Sequence, residues 1–247
     1  MTKDKFLNPE KKLLARRIYL YLGAIFITSL VVSNLIFQKF IFVDFFNIKM
    51  FGVNLFEVSV GILPYPITFL VTDLISEMYG RKKANEIVVA GIFASLFSIL
   101  IITIADILPA IDYYEDPLKN SPIDDETFNK VFSKSLIAVS ASMASYLFAQ
   151  FVDIRVYHFW KNLTKGKMLW LRNNFSTFFS QILDTFTIIF LLCSFNIIAW
   201  EMFKPLFISG VLFKMLIALI DTPLLYLGVY LFRRKFNLEI NEEININ

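Results

Sequence analysis

Apolar residues run along this chain in six blocks, each close to the roughly 20 residues a helix needs to cross hydrocarbon, with short polar stretches between them. The blocks lie at Ile18 to Phe37, Val58 to Tyr79, Ile87 to Leu108, Val131 to Ile154, Phe175 to Phe195 and Leu206 to Phe232. The pattern predicts an all-α membrane protein with six transmembrane helices in one bundle. The charged stretches between blocks give it a sidedness. Lys3, Lys5, Lys11, Lys12, Arg16 and Arg17, then Arg81, Lys82 and Lys83, then Arg155, Lys161, Lys165, Lys167 and Arg172, then Arg233, Arg234 and Lys235 all fall on one side; Lys39, Lys49, Lys119, Lys130, Lys134 and Lys204 fall on the other. Seventeen against six places both termini in the cytoplasm. The expected layout is a basic cytoplasmic arm over 1–17, a single six-helix domain over 18–235 and a cytoplasmic tail over 236–247.

Composition narrows the class. With 57% hydrophobic and 18% charged residues and a mean hydropathy of +0.62, the chain has more apolar surface than one soluble core uses. The N-terminal stretch is too charged for a secretory signal, so the first apolar block is expected to stay as a helix. A lone cysteine, Cys193, and a lone histidine, His158, leave no framework for a disulfide, a zinc site or an iron-sulfur cluster. No metal or other cofactor is expected. The net charge of +3 follows from the sidedness and gives no reason to invoke nucleic acid. The connection from Ala110 to Lys130, with Asp112, Glu115, Asp116, Asp124, Asp125 and Glu126, reads as a solvated outer loop.

The outer connection from Phe40 to Glu57 alternates apolar residues with Asp44, Asn47, Lys49, Asn54 and Glu57 and is too polar for a further span. It fits a short hairpin or a re-entrant cap over an external cavity, and equally an irregular surface loop. Pro64 and Pro66, on either side of Tyr65, should break or kink the second span near its outer end.

Polar residues inside the apolar blocks carry the functional signal, because ionisable groups are costly in hydrocarbon and mark internal sites. Asp73 and Glu77, four apart, share a helical face and need a cationic or hydrogen-bonding partner; Arg81, Arg155 and Arg172 are candidates, and a plain Glu77–Arg81 interfacial pair is the structural alternative. The fourth and fifth blocks repeat the pattern Ser-x-x-x-x-Gln-x-x-Asp, as Ser145, Gln150, Asp153 and Ser176, Gln181, Asp184. In antiparallel neighbours the two polar faces converge, with Asp184 nearest the midplane. A stripe of small residues, Ala138, Ser142, Ser145 and Ala149, lets another backbone approach the fourth block closely. The sixth block adds Lys214 and Asp221 on one face for charge compensation, followed by Pro223. Asn34 and Gln38 close the outer end of the first.

Carboxylates and amides on several helices, with aromatic rings such as Tyr65 nearby, suit a planar solute with paired N–H donors and ring acceptors. Three runs then resemble a known family. Tyr65-Pro-Ile-Thr-Phe-Leu-Val-Thr-Asp-Leu-Ile-Ser-Glu-Met-Tyr-Gly-Arg-Lys-Lys-Ala84, Gln150-Phe-Val-Asp-Ile-Arg-Val-Tyr-His158 and Arg172-Asn-Asn-Phe-Ser-Thr-Phe-Phe-Ser-Gln-Ile-Leu-Asp-Thr185 are similar to the motifs of the queuosine precursor transporter family, also called the VUT family. The resemblance implies a multi-pass protein of the bacterial inner membrane that imports 7-deazaguanines (queuine, preQ0 or preQ1) for tRNA modification, binding the base but no nucleic acid directly. It carries over Asp73, Glu77, Gln150, Asp153, Arg172, Gln181 and Asp184 as motif residues, to which Asn34 and Tyr65 are added as substrate-binding candidates. The arm, the acidic loop and the tail beyond Phe236 lie outside it. The sequence leaves open a homo-oligomer, and a second reading as the substrate-binding subunit for a vitamin or nucleobase that relies on a separate ATP-driven module. No phosphate-binding loop ending in Lys-Ser or Lys-Thr is present, so the chain does not hydrolyse ATP alone. An intramembrane aspartyl protease is disfavoured by the absence of Gly-x-Gly-Asp, and no enzyme is expected.

Overall fold

The computed structural model describes residues 3–5, 8–36, 39–42, 49–50, 53–54, 57–111, 121–133, 136–240 and 242–246. Long helices dominate: α1 (Pro9–Ile36), α2 (Tyr65–Met78), α3 (Gly80–Ile107), the short α4 (Asp125–Phe128), α5 (Leu136–Leu163), α6 (Leu169–Ser194) and α7 (Phe203–Phe236). Among the described residues, five stretches are long and apolar enough to cross a membrane: Pro9–Ile36, Val60–Met78, Gly80–Ile107, Leu169–Ser194 and Trp200–Phe236. The 28-residue α5 lies between them in sequence.

Several helices outrun the apolar blocks that predict them. α1 begins at Pro9 rather than Ile18, and α5 continues to Leu163. Hydropathy marks only the part of a helix that suits hydrocarbon, whereas charged turns such as Glu10 to Arg17 extend the same hydrogen-bonded ladder into water. The prolines break the second apolar block near its outer end, where one 3₁₀ turn over Val60–Ile62 gives way to the α-helix only at Tyr65, and they leave α2 itself unkinked. Pro64 (φ −76) caps the helix and Pro66 stands in its first turn, where the missing N–H has no intrahelical partner to lose. Only Tyr79 separates α2 from α3, a turn that depends on Gly80 at φ +83. α5 and α6 form a hairpin through Lys165 and Gly166, both at positive φ.

Short strands flank the bundle. β2 (Phe40–Phe42) pairs antiparallel with β5 (Glu57–Ser59), and β3 (Lys49–Met50) with β4 (Val53–Asn54). Asp44, Asn47, Gln38, Asp112, Glu115 and Asp116 lie outside the described residues. At the opposite end of the bundle β1 (Lys3–Lys5) runs parallel to β6 (Glu242–Ile244).

Burial is inverted relative to a soluble protein. Phe93 is 70% exposed and Phe97 63%, whereas Lys161, Arg172, Gln150 and Asp153 are 0% exposed. An apolar exterior around a polar interior is stable only when the exterior faces lipid.

Candidate functional site

Two helix faces assemble the interior. On α6, Arg172, Ser176, Ser180 and Asp184 recur every fourth residue, which stacks them along one side, with Thr177 and Gln181 beside them. On α2, Tyr65, Asp73 and Glu77 fall at i, i+8 and i+12. α5 packs along α6 through the small residues Ala141, Ser145 and Ala149, all buried. The polar side chains consequently fall into three tiers along the bundle.

The first tier is centred on Asp184. Its carboxylate accepts from Lys214 Nζ (2.5 Å), from Tyr65 Oη and from Ser145 Oγ (3.0 Å), and the Ser145 hydroxyl also reaches the Asp184 carbonyl (2.8 Å). The Lys214 ammonium stands 4.6 Å from the Tyr65 ring centre, which adds a cation–π contact. Tyr65 in turn packs against Phe69 and edge-on against Tyr146. Above this group opens a cavity of about 270 Å³, lined by Ser33 and Asn34 of α1, Gly61, Tyr65 and Thr68, Ser142 and Tyr146 of α5, Asp184 and Thr185 of α6, and Gly210 and Lys214 of α7. Its size is near the lower bound for small-molecule sites. Asn34 Nδ2 and Thr185 Oγ1 are buried there without a hydrogen-bond partner among the described residues.

The second tier pairs Asp73 with Asp153, carboxyl to carboxyl. Asp153 accepts from Ser180 Oγ (3.0 Å), while the Ser176 hydroxyl donates to the Asn173 carbonyl (3.1 Å). Asp73 Oδ1 and Asp153 Oδ2 have no donor among the described residues. Gln150 donates to Thr72 Oγ1 (2.9 Å) and the Thr68 carbonyl (3.3 Å). Two separate water-sized voids of about 20 and 10 Å³ lie between the tiers: Gln181, Thr177, Lys214 and Asp221 line the first, and Asp73, Asn173, Thr177 and Asp221 the second. The oxygen of Gln181 and the hydroxyl of Thr177 are unpartnered there.

The third tier is an ion cluster around Glu77. Its carboxylate meets Arg172 Nη2 (2.5 Å), Arg233 Nη2 (2.6 Å), Tyr157 Oη (3.0 Å) and, more distantly, Lys161 Nζ (3.6 Å). Lys161 also donates to Glu243 of β6 (2.8 Å) and to the Ser76 and Glu77 carbonyls. Arg172 Nη1 donates to the Gly166 carbonyl (2.7 Å), fixing the α5–α6 turn. Beyond it lies an open hollow of about 550 Å³ bordered by Lys167, Arg172, Tyr226, Tyr230, Arg233 and Arg234.

The structure therefore joins Tyr65 to Asp184, Asp73 to Asp153 and Glu77 to Arg172, sets Asn34 in the cavity above Asp184 and Gln181 in the first of the two small voids, and directs Gln150 to α2. The Glu77–Arg81 pair does not form; Arg81 and Arg155 are exposed. Lys214 pairs with Asp184 rather than Asp221, because the α6 face that carries Asp184 packs directly against α7, whereas Asp221 is two turns along its own helix. Sequence reading missed Lys161, Arg233 and Glu243. Lys161 was legible in principle, since Asp153, Tyr157 and Lys161 share one face at i, i+4 and i+8.

A polar, stepped interior in an apolar helical shell defines a multi-pass membrane protein with a solute-sized internal cavity. Residues 59–228 match the family described as "Putative vitamin uptake transporter", and the chain belongs to that family. It is 29% identical over 170 residues, 68% of this chain and 70% of the relative, to a protein of Bacillus subtilis (strain 168) named "Probable queuosine precursor transporter". No solved structure matches it. The role that family membership supports is transport rather than enzymatic catalysis, in a multi-pass bacterial membrane protein.

Proposed function

We propose that this protein imports queuosine precursors, the 7-deazaguanines queuine, preQ0 or preQ1, into the cytoplasm for tRNA modification. The observation that carries the reading is the 270 Å³ cavity with Asp184 at its floor and Tyr65 and Tyr146 in its wall. A carboxylate accepts two parallel N–H bonds from a guanine-like edge, and aromatic rings cover the face of the base. The relative's name points to the same solute class. In this reading α5 also crosses the membrane as the fourth of six spans, both termini are cytoplasmic, and the cavity opens outward, since it lies at the end of the bundle opposite the basic flanks.

Asp184 and Asn34 then contact the base first, Gln181 receives it next, and Asp73, Gln150 and Asp153 line its further route. Glu77 and Arg172 hold the inner end closed. Two buried carboxyl groups in contact, Asp73 and Asp153, accommodate a proton between them, which provides a route for proton coupling. The test is uptake of labelled queuine or preQ1 in cells that lack their own salvage route. Expression should raise uptake; unchanged uptake despite membrane insertion refutes the reading. Uptake by the purified chain in liposomes separates an autonomous transporter from a subunit that needs an ATP-driven partner.

A further inference from the structure

Two donors, Lys214 and Tyr65, already occupy Oδ2 of Asp184, while Ser145 takes one position on Oδ1. A solute that engages both oxygens with parallel N–H bonds must therefore displace Lys214 or Tyr65 from Oδ2. Ser145 is tied to the Asp184 backbone as well, and Tyr65 is wedged against Phe69 and Tyr146. Lys214 is the remaining partner, a long unbranched side chain whose rotamers cost little to exchange.

A displaced ammonium gains from a second anion, because a charge that loses its partner inside the bundle is costly, whereas the half-buried Asp221 can stand unpaired in the empty protein. Asp221 can serve as that anion. It lies seven residues along α7, about 10 Å of helical rise from Lys214, and both line the same narrow void beside Gln181 and Thr177. Asp221 forms no ion pair among the described residues, where Glu77 and Asp184 are already matched. Pro223 has no N–H, so the Leu219 carbonyl, two residues before Asp221, lacks its ladder donor and adds one acceptor at that end.

We propose that Lys214 is a tethered counter-cation that occupies Asp184 in the empty protein and moves to Asp221 when solute binds. The proposal rests on the transport reading of the Asp184 cavity and adds a device to it: solute occupancy at the outer cavity changes the charge lining the two small voids that lie toward Asp73. Lys214 is then the residue that sets which solutes bind, since only one with enough N–H donors to replace an ammonium gains by displacing it.

The experiment is a double-mutant cycle on the detergent-purified full chain, with affinity for queuine, preQ0 and preQ1 measured by calorimetry. Asp221→Asn should leave the melting temperature of the empty protein unchanged, because it has no ion partner there, and weaken solute binding by roughly tenfold or more. In a Lys214→Met background the same Asp221→Asn change should have no effect on affinity. Equal affinity of wild type and Asp221→Asn overturns the proposal, and so does an undiminished loss in the Lys214→Met background, which would assign Asp221 to the solute itself. Absence of binding by the wild type to all three bases defeats the transport reading and the proposal with it.

Discussion

Glu77→Gln removes one negative charge from a site that holds three cations. Glu77 and Arg172 are 1% and 0% exposed at their side chains, and the carboxylate to guanidinium distance is 2.5 Å. Lys161 keeps a carboxylate after the change, since Glu243 lies 2.8 Å away, and Arg233, 23% exposed, can turn toward water. Arg172 has neither escape. Its remaining partners, Tyr157 and the Gly166 and Lys167 carbonyls, are neutral. Removing one member of a buried pair and leaving the other uncompensated costs about 3–5 kcal/mol. At about 2–4 °C per kcal/mol for a chain of this size, the melting temperature in detergent should fall by roughly 6–20 °C. Arg233→Gln, which leaves Glu77 with Arg172 and Tyr157, should cost under about 1 kcal/mol because Arg233 itself stands at the solvated rim. Melting curves by size-exclusion or dye binding measure both. If Glu77→Gln melts within a few degrees of wild type, or Arg233→Gln costs as much, the cluster is hydrated and the buried-charge argument is wrong.

Asp184→Asn should lower uptake by roughly tenfold to a hundredfold, the loss of one charge-assisted hydrogen bond to the solute; uptake at the wild-type rate would remove Asp184 as a ligand. Ile244→Ala, at a position 2% exposed in the core beneath α2 and α7, should destabilise by about 2–4 kcal/mol in the same melting assay, and a neutral result would show that the tail does not dock. Gly80→Ala should lower stability by about 1–2 kcal/mol from backbone strain at φ +83 alone, with a further loss because the new methyl overlaps the Glu243 carboxylate; relief of that further loss in a Glu243→Ala background would confirm the contact.

The helical class and the polar interior were legible because hydrocarbon imposes strict rules: apolar runs of fixed length, few charges, and each of those charges meaningful. Asp73, Glu77, Gln150, Asp153, Arg172, Gln181 and Asp184 stand out against lipid-compatible neighbours and are all buried in the structure. Their pairing was not legible. Whether Lys214 meets Asp184 or Asp221 depends on the rotation of α7 against α6, which sequence periodicity leaves free. Lys161 and Arg233 look like ordinary basic flanks, and only the extension of α5 and α7 past their apolar blocks turns them inward. Glu243 belongs to a tail with no apolar run, yet Ile244 and Ile246 are buried and the Ile246 carbonyl accepts from Arg16 (2.8 Å).

The repeated Ser, Gln and Asp spacing has a geometric cause. In antiparallel helices of equal pitch, a pattern with its serine eight residues before its aspartate brings each serine level with the other helix's aspartate. Ser145 of α5 accordingly bonds Asp184 of α6, and Asp153 of α5 is bonded by Ser180, one turn along α6 from Ser176. Each carboxyl thus has one face held by its partner helix and the other turned toward α2 and α7, where Asp184 meets Tyr65 and Lys214 and Asp153 meets Asp73. The α5–α6 hairpin fixes where the carboxyls stand, while α2 and α7 supply the partners that can be exchanged. A transporter needs that division, because a site must hold its solute in a defined place through contacts weak enough to be replaced in turn.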